Sequence, residues 1–161
     1  MKARLVHVSL SRQRLTLRVG EGVRLECPVS TARNGAGERY GSECTPRGWH
    51  RIRVRIGTGC PPNAVFVGRR PTGERYTPEL RRRYPGRDWI LTRILWLSGL
   101  DPGRNRGGEV DTLRRHIYLH GCPDEDELGV PGSHGCVKLR NADVIRLFDE
   151  VRVGDRVFIE E

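Results

Sequence analysis

The sequence predicts a mainly β domain with one or two short helices, and three observations predict it. Apolar residues recur at every second position through the first third of the chain. Stretches rich in glycine and proline separate those runs, and only one long segment, near the end, repeats its apolar residues at helical spacing. A period of two marks a strand with one face buried, whereas three- and four-residue spacing marks a helix.

Val6, Val8 and Leu10 share one face, with His7 and Ser9 opposite, and Met1 opens almost directly into this pattern. After a turn at Ser11-Arg12-Gln13, Leu15, Leu17 and Val19 repeat it. Gly20-Glu21-Gly22 then leads into Val23, Leu25, Cys27 and Val29, which alternate with Arg24, Glu26 and Pro28. Residues 30–48, rich in Gly, Ser, Thr, Asn and Pro, are expected to form a long loop. Ile52, Val54 and Ile56 alternate with Arg51, Arg53 and Arg55, which places the arginines on the wet face of a strand. Further loops are expected at 57–62 and 68–73, with a short basic helix over 77–84 that Pro85-Gly86 ends. Trp89 to Leu97 is apolar enough for a buried strand, and the glycine-rich 99–108 connection is expected to be a mobile flap over a site. Ile117 and Leu119 begin another strand, and 136–139 form one more. Asn141 is expected to cap a helix whose stripe is Val144, Ile145, Leu147, Phe148 and Val151, with Asp143 at its positive end. Gly154 lies past its end, and 156–159 close the domain as a strand.

The whole chain, residues 1–161, is expected to be one domain, and a chain of this length buries roughly 70% of its unfolded surface without staples. The N-terminal apolar stretch is broken by His7 and Ser9 and lacks a small-residue cleavage site, so no secretory signal is expected there. No apolar run is long enough to span a bilayer. Five cysteines at irregular spacing make a poor disulfide framework and suit a reducing compartment. The resulting expectation is a cytoplasmic protein; a missing leader would make it periplasmic. Lysine and arginine exceed aspartate and glutamate by 29 to 20, for a net charge of +9. That excess fits an anionic partner or a solvated surface, but no nucleic-acid motif accompanies it, and aromatics for base stacking make up only 6% of the chain.

The chemistry is concentrated in Arg115-His116-Ile117-Tyr118-Leu119-His120-Gly121-Cys122 and Gly132-Ser133-His134-Gly135-Cys136-Val137-Lys138-Leu139. A thiol attacks as thiolate, and an imidazole nearby can take its proton and return it to a leaving amine. His134, two residues from Cys136, and His120, sixteen residues upstream, are both candidates for that base. Gly121 and Gly135 permit close backbone approach, and amides near Gly135 and Cys136 are candidate oxyanion donors. The repeated His-Gly-Cys at 120–122 and 134–136 also offers four zinc ligands, although its spacing is unlike a zinc knuckle. Taken singly, each of these cysteines and histidines also fits a buried structural role.

The Ser133-His134-Gly135-Cys136 string, with His120-Gly121 upstream and a helix following, resembles the signature of the L,D-transpeptidase (YkuD-type) catalytic domain. The segments 28–32, 45–48 and 90–93 extend the likeness over nearly the whole chain. The resemblance implies a β-sandwich with one or two short helices, no cofactor and no metal. It implies Cys136 as the nucleophile, His120 as general base and acid, and the Gly121 carbonyl orienting the His120 ring. Ser133, His134 and Gly135 would shape the pocket and oxyanion site, and Lys138 stands where many members carry the arginine that recognises a carboxylate. The implied bond joins a diamino acid to terminal D-alanine in a peptidoglycan tetrapeptide or muropeptide. Water as acceptor makes the enzyme an L,D-carboxypeptidase of murein recycling, the expectation for a cytoplasmic protein. An amine makes it a cross-linking or exchanging transpeptidase. Acylation by carbapenem-type β-lactams is implied as well. From another class, a non-catalytic module could hold peptidoglycan or another anion on its arginine faces. Cys122 is expected to be a small buried residue.

Overall fold

The computed structural model describes residues 2–161; Met1, and the expectation that it opens into a strand, lie outside them. Strands β1 (Arg4–Ser9), β2 (Arg14–Val19) and β3 (Gly22–Pro28) form an antiparallel meander, turning where Ser11-Arg12-Gln13 and Gly20 were expected to turn. Next come β4 (Gly48–Ile56), β5 (Ala64–Val67), β6 (Arg70–Arg75), helix α1 (Pro78–Arg83) and the long β7 (Ile90–Gly99). The chain ends with β8 (Tyr118–Gly121), β9 (Val137–Leu139), helix α2 (Asn141–Glu150) and β10 (Arg156–Glu160).

The expected sandwich is realised as one curled sheet of order β3-β2-β1-β10-β4-β7-β5-β6, from which β8 and β9 branch at β7. Most pairs are antiparallel, but β10 inserts parallel to β1, and β9 lies parallel to β8. Curling lets both halves share one core. Val6, Val8, Leu15, Leu17, Leu25 and Cys27 meet Ile52, Leu95, Leu97, Val157 and Ile159 there, and Val144, Leu147 and Phe148 of α2 seal it. At roughly 1.5–3 kcal/mol per large side chain removed from water, this cluster is the main stabilising term.

Four local expectations are corrected. The 68–73 stretch is not a loop but the turn and first half of β6 in a β5–β6 hairpin, which the arginines and glycine there concealed. Val23 opens β3 with its side chain 53% exposed, so that strand is buried only from Leu25 onward. Arg55 is not on the wet face: the β4–β7 register shifts between Ile52 and Val54, and the displaced guanidinium lies 4.0 Å from the Phe148 ring centroid. The 99–108 segment is no flap over the thiol. Asn105, fully buried, donates to the carbonyls of Arg47 and Trp49, and the segment packs against β4.

Candidate active site

Thr92, inside β7, holds φ at +77°, an uncommon conformation for a β-branched residue, where the β7–β8 register shifts. That bulge directs its hydroxyl to donate to Asn141 Oδ1 (2.6 Å) and to accept from the Asn63 amide (3.0 Å). Asn141 also donates to Asn63 Oδ1 at 2.9 Å. Asn141 therefore does not cap α2. It is the first helical residue, buried, and its amide ties the helix start to β7. A Cβ on Gly121 would sit 2.3 Å from Asn141 Oδ1 and 2.7 Å from the Leu91 carbonyl. The glycine is thus demanded by the approach of protein, rather than of substrate.

With Gly121 so held, its carbonyl accepts from His120 Nδ1 at 2.6 Å. A carbonyl only accepts, so Nδ1 carries the hydrogen and Nε2 is left as the basic nitrogen. Burial pushes the His120 pKa down, opposed by the Gly121 bond and by Asp88. The ring is neutral at pH 7.

Cys136 stands just before β9, in parallel register with β8, so the sheet itself brings His120 and Cys136 to one cavity of about 220 Å³. Ser133, His134 and Lys138 also line it, as do Asp88, Ile90, His116 and Tyr118. The thiol donates to the His116 carbonyl (3.4 Å) and accepts from the Tyr118 amide (3.2 Å). Burial beneath these loops pushes its pKa up to about 12, although the residue keeps some exposure at the cavity floor; the Tyr118 amide pulls the other way.

The loop before the thiol is clamped by residues 30–48. Thr45 Oγ1 donates to the Gly135 carbonyl (2.9 Å), and Ala32 pairs with Ser133. Gly135 has φ +133°, and a Cβ there would meet Ile117 Cδ1 at 3.1 Å. Its N–H already donates to Ser133 Oγ, which in turn donates to the Cys136 carbonyl. Ser133 thus shapes the turn, and Gly135 N–H is engaged at rest. His134 is exposed at the cavity rim. Lys138 Nζ pairs with Asp126 at 3.1 Å, and Arg81 of α1 shares that carboxylate at 2.8 Å. Any carboxylate approaching Lys138 competes with Asp126.

Cys122 is buried, with its pKa pushed up to about 12 by desolvation, and it does not line the cavity. Among the described residues no three His, Cys, Asp or Glu side chains converge as a metal-ligand set. Sequence reasoning missed His116, Tyr118, Asp88 and Arg115. The first two act on the thiol through backbone atoms, which no residue type announces. Arg115 donates to the Cys44 carbonyl at 2.6 Å and so buttresses the long loop; its place in the quoted stretch was the only signal.

Residues 3–159 match the model of the YkuD L,D-transpeptidase catalytic domain. The chain is 50% identical over 126 residues to the probable L,D-transpeptidase YbiS of Escherichia coli K12, covering 72% of this chain and 40% of that protein. The probable L,D-transpeptidase ErfK/SrfK of the same organism is 35% identical over 83 residues, covering 52% and 26%. The chain therefore spans less than half the length of these relatives. In fold it is similar to L,D-transpeptidase 3 from Mycobacterium tuberculosis in complex with a faropenem-derived adduct, with TM-score 0.61, 18% identity, and coverage of 99% of this chain and 61% of that one. A family match that runs from the edge of β1 into β10, and takes in both walls of the Cys136 cavity, shows that this chain belongs to the L,D-transpeptidase catalytic domain family.

Proposed function

We propose that Cys136 carries out acyl transfer on peptidoglycan tetrapeptide stems, at the bond between the diamino acid and terminal D-alanine. The observation that carries this reading is a thiol and a buried neutral imidazole in one cavity, with the imidazole's tautomer set by the Gly121 carbonyl. At rest the S–H points to the His116 carbonyl. When a stem enters, the proton passes to His120 Nε2 while sulfur bonds to the stem carbonyl carbon. The C–N bond then breaks, and His120 returns the proton to the departing D-alanine amine. A thioester remains on Cys136.

The sequence reading favoured water as the species that resolves this thioester. The name of YbiS, half identical over the matched region, favours an amine, and we adopt transpeptidation. In that second step the amine attacks the thioester carbon and gives its proton to His120, the C–S bond breaks, and His120 passes the proton to the departing Cys136 sulfur, restoring the thiol. The adduct carried by the M. tuberculosis neighbour supports β-lactam acylation of Cys136 here as well.

The test is mass spectrometry of a disaccharide tetrapeptide incubated with the protein, with and without an added D-amino acid. Exchanged or dimeric product is expected; tripeptide alone makes the protein a carboxypeptidase. Cys136→Ala should lower turnover by at least ~1,000-fold and abolish the covalent imipenem adduct while leaving the circular dichroism unchanged. Turnover that survives this substitution overturns the reading.

A further inference from the structure

The side of β1, β10 and β4 that faces away from the core carries an unusual surface. Phe158 lies between His7, stacked at 6.2 Å between ring centroids, and Trp49, tilted at 4.6 Å. All three rings are only partly buried, while their strand neighbours Val6, Val8, His50, Val157 and Ile159 are buried on the opposite face. Beside this aromatic row Arg156 stands directly opposite Arg51 in the β10–β4 register, and its guanidinium lies 5.7 Å from the Trp49 ring. Like charges placed opposite one another across strands are destabilising. Arg51 and Arg53 then continue into a cavity of about 370 Å³, lined also by Ser98, Leu100, Arg106 and Asp111.

The charges in this cavity are unbalanced. Arg51 donates only to Ser98 Oγ (3.4 Å), and among the described residues none of Arg51, Arg53 and Arg106 has a carboxylate partner. Asp111 turns its oxygens to the backbone amides of Gly107 and Arg114, and Glu160 on the same face is bonded to His7. Flat aromatic faces beside uncompensated guanidinium forks suit a ligand that offers ring faces and spaced oxyanions together. None of these residues lines the Cys136 cavity.

We infer that this face binds an acidic glycan strand, with sugar rings against Trp49 and Phe158 and carboxylates on Arg51, Arg53 and Arg106. The choice of a glycan over another polyanion rests on the proposed reaction, because the stems that enter the Cys136 cavity hang from such a strand; the sugar carboxyls that bear stems are amidated, so the carboxylates on the arginines are those of its stem-free sugars. The surface would hold the polymer while its stem reaches the thiol.

The experiment uses Cys136→Ala protein and peptide-free glycan strands with free carboxylates, followed by calorimetric titration. Salt-sensitive binding is expected, weakened roughly tenfold or more by Arg51→Ala with Arg53→Ala. A neutral chitin oligosaccharide should bind more weakly than the acidic strand. Trp49→Ala should also weaken binding, and circular dichroism checks its fold; the Arg51 and Arg53 pair carries the test if that variant unfolds. In protein with Cys136 intact, the arginine pair should leave turnover of a soluble disaccharide tetrapeptide unchanged and lower turnover of insoluble sacculi. Glycan affinity unaffected by the arginine substitutions overturns the inference, as does tighter binding of a single-stranded oligonucleotide to the same residues. Failure of the native protein to turn over tetrapeptide would instead remove the catalytic reading and leave the glycan titration to be judged by itself.

Discussion

Burial acts in opposite directions on the two central groups, raising the Cys136 thiol to about 12 and lowering the His120 imidazole, so both are uncharged at pH 7. The site therefore rests as a neutral pair rather than as a thiolate–imidazolium ion pair, and in the proposed reaction the ionised sulfur that attack requires would form as substrate arrives. Alkylation reads this state directly. Iodoacetamide should modify Cys136 slowly between pH 6 and 8, and the rate should still be rising above pH 9, near which an ordinary exposed thiol levels off. Peptide mapping by mass spectrometry separates Cys136 from the partly exposed Cys44 and Cys60. Rapid modification of Cys136 already at pH 6 would show a preformed thiolate and remove the neutral-pair account.

Between residue and sheet lies the Thr92–Asn141–Asn63 network, which spans β7, α2 and the loop before β5. Its effect reaches the site through Gly121, against which Asn141 is packed, and through the Gly121 carbonyl that holds His120. Asn141→Ala would leave the Thr92 hydroxyl and Asn63 Oδ1 short of partners in a largely buried place, a loss of about 2 kcal/mol in urea unfolding. Gly121→Ala would force its methyl into Asn141 and the Leu91 backbone and should cost at least that much, about 2–4 kcal/mol. Both variants should also lower kcat, since the His120 ring loses its fixed orientation. A Gly121→Ala protein as stable as the parent would show that the close approach relaxes without cost.

Across the whole molecule, His50 joins β4 to the segment that follows β7. Nδ1 bonds the Gly48 carbonyl (3.1 Å) and Nε2 the Thr112 hydroxyl (3.0 Å), and burial lowers its pKa to about 4. Above pH 6.5 the ring is neutral in both folded and unfolded chains, and its contribution is complete. Below pH 6.5 the unfolded chain takes up a proton that the folded one refuses, so stability falls until about pH 4. The shift corresponds to a loss of ~3 kcal/mol across that window, and the lowered His120 acts in the same direction. Urea midpoints measured from pH 7 to pH 4 should show the decline, and His50→Gln should flatten it; a parent profile already flat there would refute this account. The same scale separates what was legible in the residues from what was not. Period-two alternation announced β1, β2, most of β3 and part of β4, a continuous apolar run announced β7, and the 3.6-residue stripe announced α2, because the pattern of burial repeats along one element. The Ser133-His134-Gly135-Cys136 string with His120-Gly121 upstream marked His120 and Cys136 only through the family resemblance, since the residues alone left His120 and His134 both open as the base. By itself, then, the sequence determined most of the strands and the closing helix, and it named the two residues proposed as the reactive pair. Only the tertiary structure decided that Arg55 turns inward, that Asn141 ties strands instead of capping a helix, and that the carbonyl of His116 and the amide of Tyr118 hold the sulfur. Register shifts and backbone atoms carry no side-chain signature, so their positions exist only once distant strands have paired.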